Sequence, residues 1–292
     1  MKLIDGNELA KQVRQEITEQ ISILIAEGKQ RPGLALLLVG ENSASQVYVN
    51  SKDKDCKEVG MYSEIRRLPA ESTQDEIVSV IREWNGSDTI HGMIVQLPLP
   101  KHVNEFEVIS SISPEKDVDG FHPINAGRLL IGMPCFVSCT PAGIVEMIKR
   151  YKIETKGKHV VVVGRSNIVG KPMANLMYQK TEYANAVVTI CHTGTNDISH
   201  YTKQADILIV AVGVPLLIKK EDIKPGAVVI DVGMNRIEDS SKKSGYRLVG
   251  DVDFEDVKDI CSLITPVPGG VGPMTRAMLL QNTLLAAKKE IY

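Results

Sequence analysis

Short aliphatic runs alternate with helix patterns along almost the whole chain, and that alternation limits the fold to a parallel α/β architecture. The runs are Leu34 to Val39, Met61 to Leu68, Thr89 to Val95, His159 to Val163, Ala186 to Cys191, Asp206 to Val212, Ala227 to Val232 and Leu263 to Thr265. Between them, apolar residues recur at helical steps. Residues 7–27 repeat Leu9, Val13, Ile17, Ile21 and Leu24 before Gly28 ends the pattern. Aromatics are scarce, with one Trp, four Phe and eight Tyr, so the cores must be built from Val, Ile, Leu and Ala. That is the composition of buried parallel strands flanked by helices.

At roughly 150 residues per domain, 292 residues predict two domains. In the first half, Ser43 or Ser45 is placed to cap a helix running to about Val59. Thr73 and Glu76 form a capping box for a helix ending near Trp84, and another helix covers Glu105 to Ile112. A Gly- and Pro-rich connection follows from Ser113 to Ser138. Thr140 and Pro141 then open a helix that leads into a second α/β unit. The last helix pattern, Pro273 to Ile291, needs a groove and is expected to return to the first domain. The expected organisation is a domain of residues 1–140 completed by 271–292, and a second of residues 141–270.

Net charge is −2 with no basic block, which argues against a nucleic-acid partner. The five cysteines, Cys56, Cys135, Cys139, Cys191 and Cys261, are odd in number and widely spaced. Reduced thiols in a cytoplasmic protein are the simpler reading. No His or second Cys pair accompanies Cys135 and Cys139, so no metal site is expected. No apolar h-region follows Met1-Lys2-Leu3-Ile4-Asp5-Gly6, and no stretch approaches the ~20 apolar residues of a membrane span.

Val160 to Pro172 reads as a strand, a glycine turn and a helix start, an arrangement that aims backbone N–H groups at a phosphate. The pattern is Gly164-Arg165-Ser166-x-x-x-Gly170, not the usual G-x-G-x-x-G, and an ordinary β–α turn is its competing reading. NAD specificity usually places an acid at the end of the next strand. Here that position reads Cys191-His192-Thr193-Gly194-Thr195, without a carboxylate. Arg165 and Thr193 instead suit an extra phosphate, which favours NADP.

In the first half, Tyr48 and Lys52 are four apart on one helix, and Gln96 ends a strand. Lys116-Asp117-Val118-Asp119-Gly120-Phe121 is a polar loop. By spacing alone, Tyr48 and Lys52 are a plain exposed pair, and Asp117 and Asp119 a solvated turn. Their neighbourhoods change that reading. The strings Tyr48-Val49-Asn50-Ser51-Lys52, Val95-Gln96-Leu97-Pro98-Leu99-Pro100, Lys116 to Phe121, Gly164 to Gly170 and Pro266-Val267-Pro268-Gly269-Gly270-Val271-Gly272-Pro273-Met274-Thr275 occur in this order. Together they closely resemble the bifunctional methylenetetrahydrofolate dehydrogenase/methenyltetrahydrofolate cyclohydrolase family, from Ile4-Asp5-Gly6 to the last helix.

The resemblance implies two α/β domains, an N-terminal catalytic domain and a Rossmann-like NADP-binding domain, with a cleft for the pteridine between them. It implies that Lys52 is the catalytic lysine and Tyr48 its substrate-stacking partner. Gln96 would hydrogen-bond the lysine, and Asp119 would grip the pterin. Pro268 and Gly269 would form part of the folate wall. Gly164, Arg165, Ser166, Thr193 and Ile230 match the cofactor positions, with Thr193 where serine is common. Tetrahydrofolate derivatives as partners, a homodimer and a place in purine biosynthesis are implied in the same way. Hydride transfer from the methylene bridge needs mainly alignment of two rings, because the folate nitrogens supply the push. Hydrolysis of the methenyl cation needs proton transfers, and a cationic substrate makes a neighbouring amine readier to give up its proton. The rival readings are an NADP oxidoreductase with a non-folate substrate and a non-catalytic nucleotide-binding protein.

Overall fold

The computed structural model describes residues 2–242 and 245–292. In chain order the elements begin with β1 (Lys2–Leu3), α1 (Gly6–Ala26), β2 (Gly33–Val39), α2 (Ser43–Glu58), β3 (Tyr62–Leu68), α3 (Gln74–Asn85) and β4 (Gly92–Val95). They continue with α4 (Glu105–Ser110), α5 (Pro123–Leu130), α6 (Cys139–Arg150), β5 (His159–Val163), α7 (Gly170–Tyr178), β6 (Val187–Cys191), α8 (Ile198–Thr202) and β7 (Ile207–Val210). Then come β8 (Val228–Asp231), β9 (Asn235–Glu238), β10 (Tyr246–Val249), α9 (Phe254–Val257), β11 (Leu263–Ile264) and α10 (Val271–Lys288). None of the described helices is long and apolar enough to cross a membrane.

The chain divides into two compact units: residues 11–139 with 276–292, and residues 1–10 with 140–275. The first ten residues, expected with the N-terminal domain, group with the second unit for a clear reason. β1 pairs in parallel with β11, Lys2 opposite Leu263, and a side chain on Gly6 would collide with the carbonyl of Gly270.

In the 11–139 unit, three parallel strands take the order β3-β2-β4. β2 is buried along its whole length, as its unbroken apolar run requires. Beneath the sheet, Ala35, Leu37, Met93 and Val95 pack with Ile77, Ile81 and Trp84 of α3. The Thr73–Glu76 capping box that starts α3 is present. The cap of α2 is Asn42 rather than Ser43 or Ser45; its side chain accepts from the Ser45 N–H at 3.0 Å. The connection from Ser113 to Ser138 hides a helix, α5, that composition concealed. His122 caps it by accepting from the Ile124 N–H at 3.1 Å, and Pro123 fills its first turn.

In the other unit, six parallel strands take the order β1-β11-β8-β7-β5-β6. Val161, Val163, Leu208, Val210 and Val229 form its aliphatic core. β9 and β10 make a separate antiparallel hairpin that periodicity did not announce. Strand order reverses at β5, since β6 lies on one side and β7 on the other. In the smaller sheet the reversal falls at β2, between β3 and β4. Ligands of open α/β sheets bind beyond the carboxyl ends of strands at such reversals.

Candidate active site and cofactor loop

The reversal in the smaller sheet assembles the amine site. β2 leads into α2, which carries Tyr48 and Lys52 one turn apart. β4 pairs with β2 in register, Val95 opposite Leu37, and the Gln96 N–H donates to the Leu37 carbonyl at 2.9 Å. The Gln96 side chain therefore emerges at the carboxyl end of the sheet. Lys52 Nζ donates to Gln96 Oε1 at 3.1 Å. Gln96 Nε2 donates to the Leu97 carbonyl at 2.8 Å, which fixes the amide with its oxygen toward the amine. Lys52 is half-buried, whereas Tyr48 is 47% exposed.

An isolated parallel bridge, Met93 to Asp117, lays the polar loop against β4. The loop fits because residue 92 is glycine; any Cβ there would overlap the Val118 side chain. Asp119 is thereby carried to the same end of the sheet. Burial pushes its carboxyl above the ordinary carboxylate range, while the Lys52 charge and a hydrogen bond from Cys139 pull the other way. Asp117, two residues earlier, serves the scaffold. It accepts from the N–H groups of Phe121 (3.2 Å) and His122 (2.8 Å) and from Asn125 Nδ2 (2.8 Å).

Burial outweighs those three donors and pushes Asp117 up to about 7, from 3.8. Between about pH 4 and 7, then, the folded chain keeps a proton that the unfolded chain has released. Raising the pH through that window withdraws the stability associated with this carboxyl. Urea titrations of the wild type and Asp117→Asn test this. From about pH 5 to about pH 8 the stability difference between the two should move against the wild type; a constant difference would rule the effect out.

The second group of expected site residues lies in the larger sheet. Gly164 follows β5 with φ +126°, and its N–H donates to the Cys191 carbonyl at 2.8 Å. A Cβ there would overlap the Ala211 carbonyl, and one on Gly170 would overlap the Gly164 carbonyl. The turn is thus tight enough to bring the start of α7 against the end of β5. Ser166 Oγ accepts from the N–H groups of Val169 (3.1 Å) and Gly170 (3.3 Å), holding the loop in shape. Arg165, Ser166 and Thr193 are exposed beyond the carboxyl ends of β5 and β6. This donor set, next to a strand end without a carboxylate, fits a dinucleotide bearing an additional phosphate. Ile230 is different: it sits inside β8 opposite Ile209 with its side chain fully buried. Pro268 is exposed after β11, and Gly269 has φ +101° with Asn7 Nδ2 against the place of a Cβ.

Two residues beside Asp119 escaped the sequence reading. Cys139 is buried with Sγ 3.4 Å from the Val118 carbonyl. Asn282, from α10, donates from Nδ2 to the carbonyls of Val118 (2.8 Å) and Val137 (3.0 Å). The available signal for Asn282 was an amide inside the apolar run Met278 to Leu285. Cys139 offered none.

Fold and site together define a two-domain α/β enzyme that pairs a nucleotide-binding sheet with a lysine–amide–carboxylate site. The model of the tetrahydrofolate dehydrogenase/cyclohydrolase catalytic domain matches residues 4–119, and that of the family's NAD(P)-binding domain matches residues 138–291. A bifunctional protein FolD from Chloroherpeton thalassium is 58% identical over 286 residues, 97% of each chain. The crystal structure of the bifunctional methylenetetrahydrofolate dehydrogenase/cyclohydrolase from Campylobacter jejuni is 46% identical. It superposes with a TM-score of 0.94 over 99% of each chain. The Trypanosoma brucei dehydrogenase–cyclohydrolase, complexed with NADP and an inhibitor, is 40% identical with a TM-score of 0.93, over 99% of this chain and 98% of that one. The chain belongs to the tetrahydrofolate dehydrogenase/cyclohydrolase family.

Proposed function

We infer that this enzyme oxidises 5,10-methylenetetrahydrofolate to the 5,10-methenyl cation with NADP and then hydrolyses the cation to 10-formyltetrahydrofolate. The observation that carries the reading is the Lys52–Gln96 contact of 3.1 Å beside Asp119, in the part of the chain that matches the family's catalytic domain. NADP, when bound, accepts the hydride. Gly164, Arg165, Ser166 and Thr193 hold the nucleotide, with the backbone of β8 at Ile230 beside it. Tyr48 stacks on the folate, Pro268 and Gly269 wall it, and Asp119 accepts hydrogen bonds from the pterin.

Lys52 works mainly in the second step. Water adds to the methenyl carbon and loses both its protons as the formyl carbonyl forms: one is released to solvent, and the other passes to the ring nitrogen that departs. Lys52 Nζ relays that proton, and Gln96 Oε1 keeps the amine aimed. The Leu97 carbonyl matters here because it prevents the Gln96 amide from turning its N–H groups toward the amine.

Asp119→Asn is expected to raise the KM for methylenetetrahydrofolate about tenfold, the scale of one charge-assisted hydrogen bond, and to leave the KM for NADP unchanged. An unaltered folate KM in steady-state assays would remove Asp119 from the site. The test of the whole reading is a paired assay of both steps with NADP and with NAD. NADP-dependent oxidation without hydrolysis, or hydrolysis without oxidation, would contradict it.

The quaternary state, place and pathway belong to the same proposal. The enzyme is a cytoplasmic homodimer that supplies formyl groups for purine biosynthesis. β6 supports the dimer: it is the end strand of its sheet, with Val187 and Ile190 62% and 41% exposed. Light scattering that gave a monomer mass at micromolar concentration would refute it.

A further inference from the structure

Resting on the assignment of the Gly164 turn to nucleotide binding, we propose that Asp251 is a positioning residue for the cofactor: its buried carboxylate fixes the shape of loop 212–217, which walls the nucleotide crevice beside that turn. Strand order reverses at β5, so the crevice opens between the loops that follow β5 and β7. The two loops start in contact. The Ala211 carbonyl fills the place of a Cβ on Gly164, and the Ala211 N–H donates to the Val163 carbonyl at 2.8 Å. Beyond Ala211 the chain leaves the sheet, and Val214, Pro215 and Leu217 are exposed, so packing does little to fix the loop.

Hydrogen bonds do it instead, and one residue grips both ends. Asp251 Oδ2 accepts from the N–H groups of Val212 (2.7 Å) and Gly213 (2.9 Å). The Asp251 backbone carbonyl accepts from the Ile218 N–H at 3.0 Å, and the neighbouring Gly250 carbonyl from the Leu216 N–H at 3.1 Å. Inside the loop Gly213 has φ +69° and Leu216 φ +55°. A leucine keeps such a conformation only where surrounding contacts over-determine it. Asp251 is itself held. It is fully buried, Oδ1 accepts from Asn235 Nδ2 at 2.8 Å, and its N–H donates to Asp231 Oδ1 at 2.9 Å. Asp231, the last residue of β8, also accepts from the N–H groups of Gly233 and Val252, each at 2.9 Å. A Cβ on Gly233 would overlap the Asp251 carboxylate, and one on Gly250 that of Asp231, so these glycines leave the room both acids need. A carboxylate suits the place because it accepts from three donors and presents none of its own.

The test reads Asp251→Ala, Asp251→Asn and Gly164→Ala side by side in the full chain, with the KM for NADP and for folate, kcat and melting temperature of each. Asp251→Ala frees both N–H groups of the loop and should raise the NADP KM at least about tenfold, with the folate KM within about twofold of the wild type. Asp251→Asn keeps an acceptor oxygen and should stay within about threefold of the wild-type NADP KM. Should the alanine variant fail to fold, Asn235→Ala, at a half-buried position of β9, removes the donor that orients the carboxylate and should raise the NADP KM about two- to tenfold. An unchanged NADP KM beside a lowered melting temperature in Asp251→Ala, or in Asn235→Ala if that variant stands in, would make the carboxylate merely structural and overturn the proposal. So would an asparagine variant as impaired as the alanine one, or an equal rise in both KM values. A normal NADP KM in Gly164→Ala would overturn the site reading beneath the proposal as well. An impaired Gly164→Ala beside an unimpaired Asp251→Ala would overturn the proposal alone.

Discussion

Replacing Lys52 with methionine is expected to lower cyclohydrolase turnover by about 10²–10⁴-fold, the usual contribution of a positioned acid–base group. Methionine matches the length of the lysine stem and keeps the helix face packed, but it neither donates nor accepts a proton. The Gln96 carbonyl oxygen would lose its 3.1 Å partner and turn to water. Hydride transfer depends on ring alignment more than on proton transfer, so the dehydrogenase step should fall by no more than about tenfold. The measurement is the decay of supplied methenyltetrahydrofolate, set beside NADPH formation from the methylene substrate. Full hydrolysis by the variant would end the role assigned to this amine. Equal loss of both activities would mean that Lys52 serves to bind folate and not to move protons.

Gly164→Ala should have the second large effect, on the other half of the chemistry. The alanine must adopt φ near +126°, and its Cβ must enter space held by the Ala211 carbonyl. That carbonyl cannot retreat cheaply, because the Ala211 N–H is bonded to the Val163 carbonyl at 2.8 Å in the sheet. Backbone strain and overpacking together cost on the order of 2–5 kcal/mol. The turn will open where the phosphates must approach, so the KM for NADP should rise at least about tenfold and the melting temperature should fall. Hydrolysis of supplied methenyltetrahydrofolate needs no nucleotide and should persist in the folded fraction. Normal NADP affinity in this variant would show that the turn is not the nucleotide site.

Much of the architecture was legible because strand and helix signals are local. The aliphatic runs Leu34 to Val39 and His159 to Val163, and the Thr73–Glu76 box, act through neighbours only a few residues away. α5 was hidden because its start depends on the His122 ring acting as a cap, a role that composition does not reveal. The β9–β10 hairpin was hidden because its strands are half-exposed and short. At the site, Lys52 and Gln96 were readable only through the motifs around them; neither residue type signals catalysis by itself. Asp117 and Asp119 look alike in sequence. Asp117 faces three donors inside the scaffold, whereas the charge that pulls on Asp119 is that of Lys52.

The sequence by itself determined the α/β class, the glycine turn after β5, the missing acid after β6 and the family to which the ordered motifs point. Each is a matter of short-range pattern and backbone freedom. Only the tertiary structure decided which polar residues meet: Lys52 with Gln96 across 44 residues, and Asn282 with Val118 across 164. Such contacts depend on strand order and register, which are set by the burial of whole sheets and leave no mark on the residues they join.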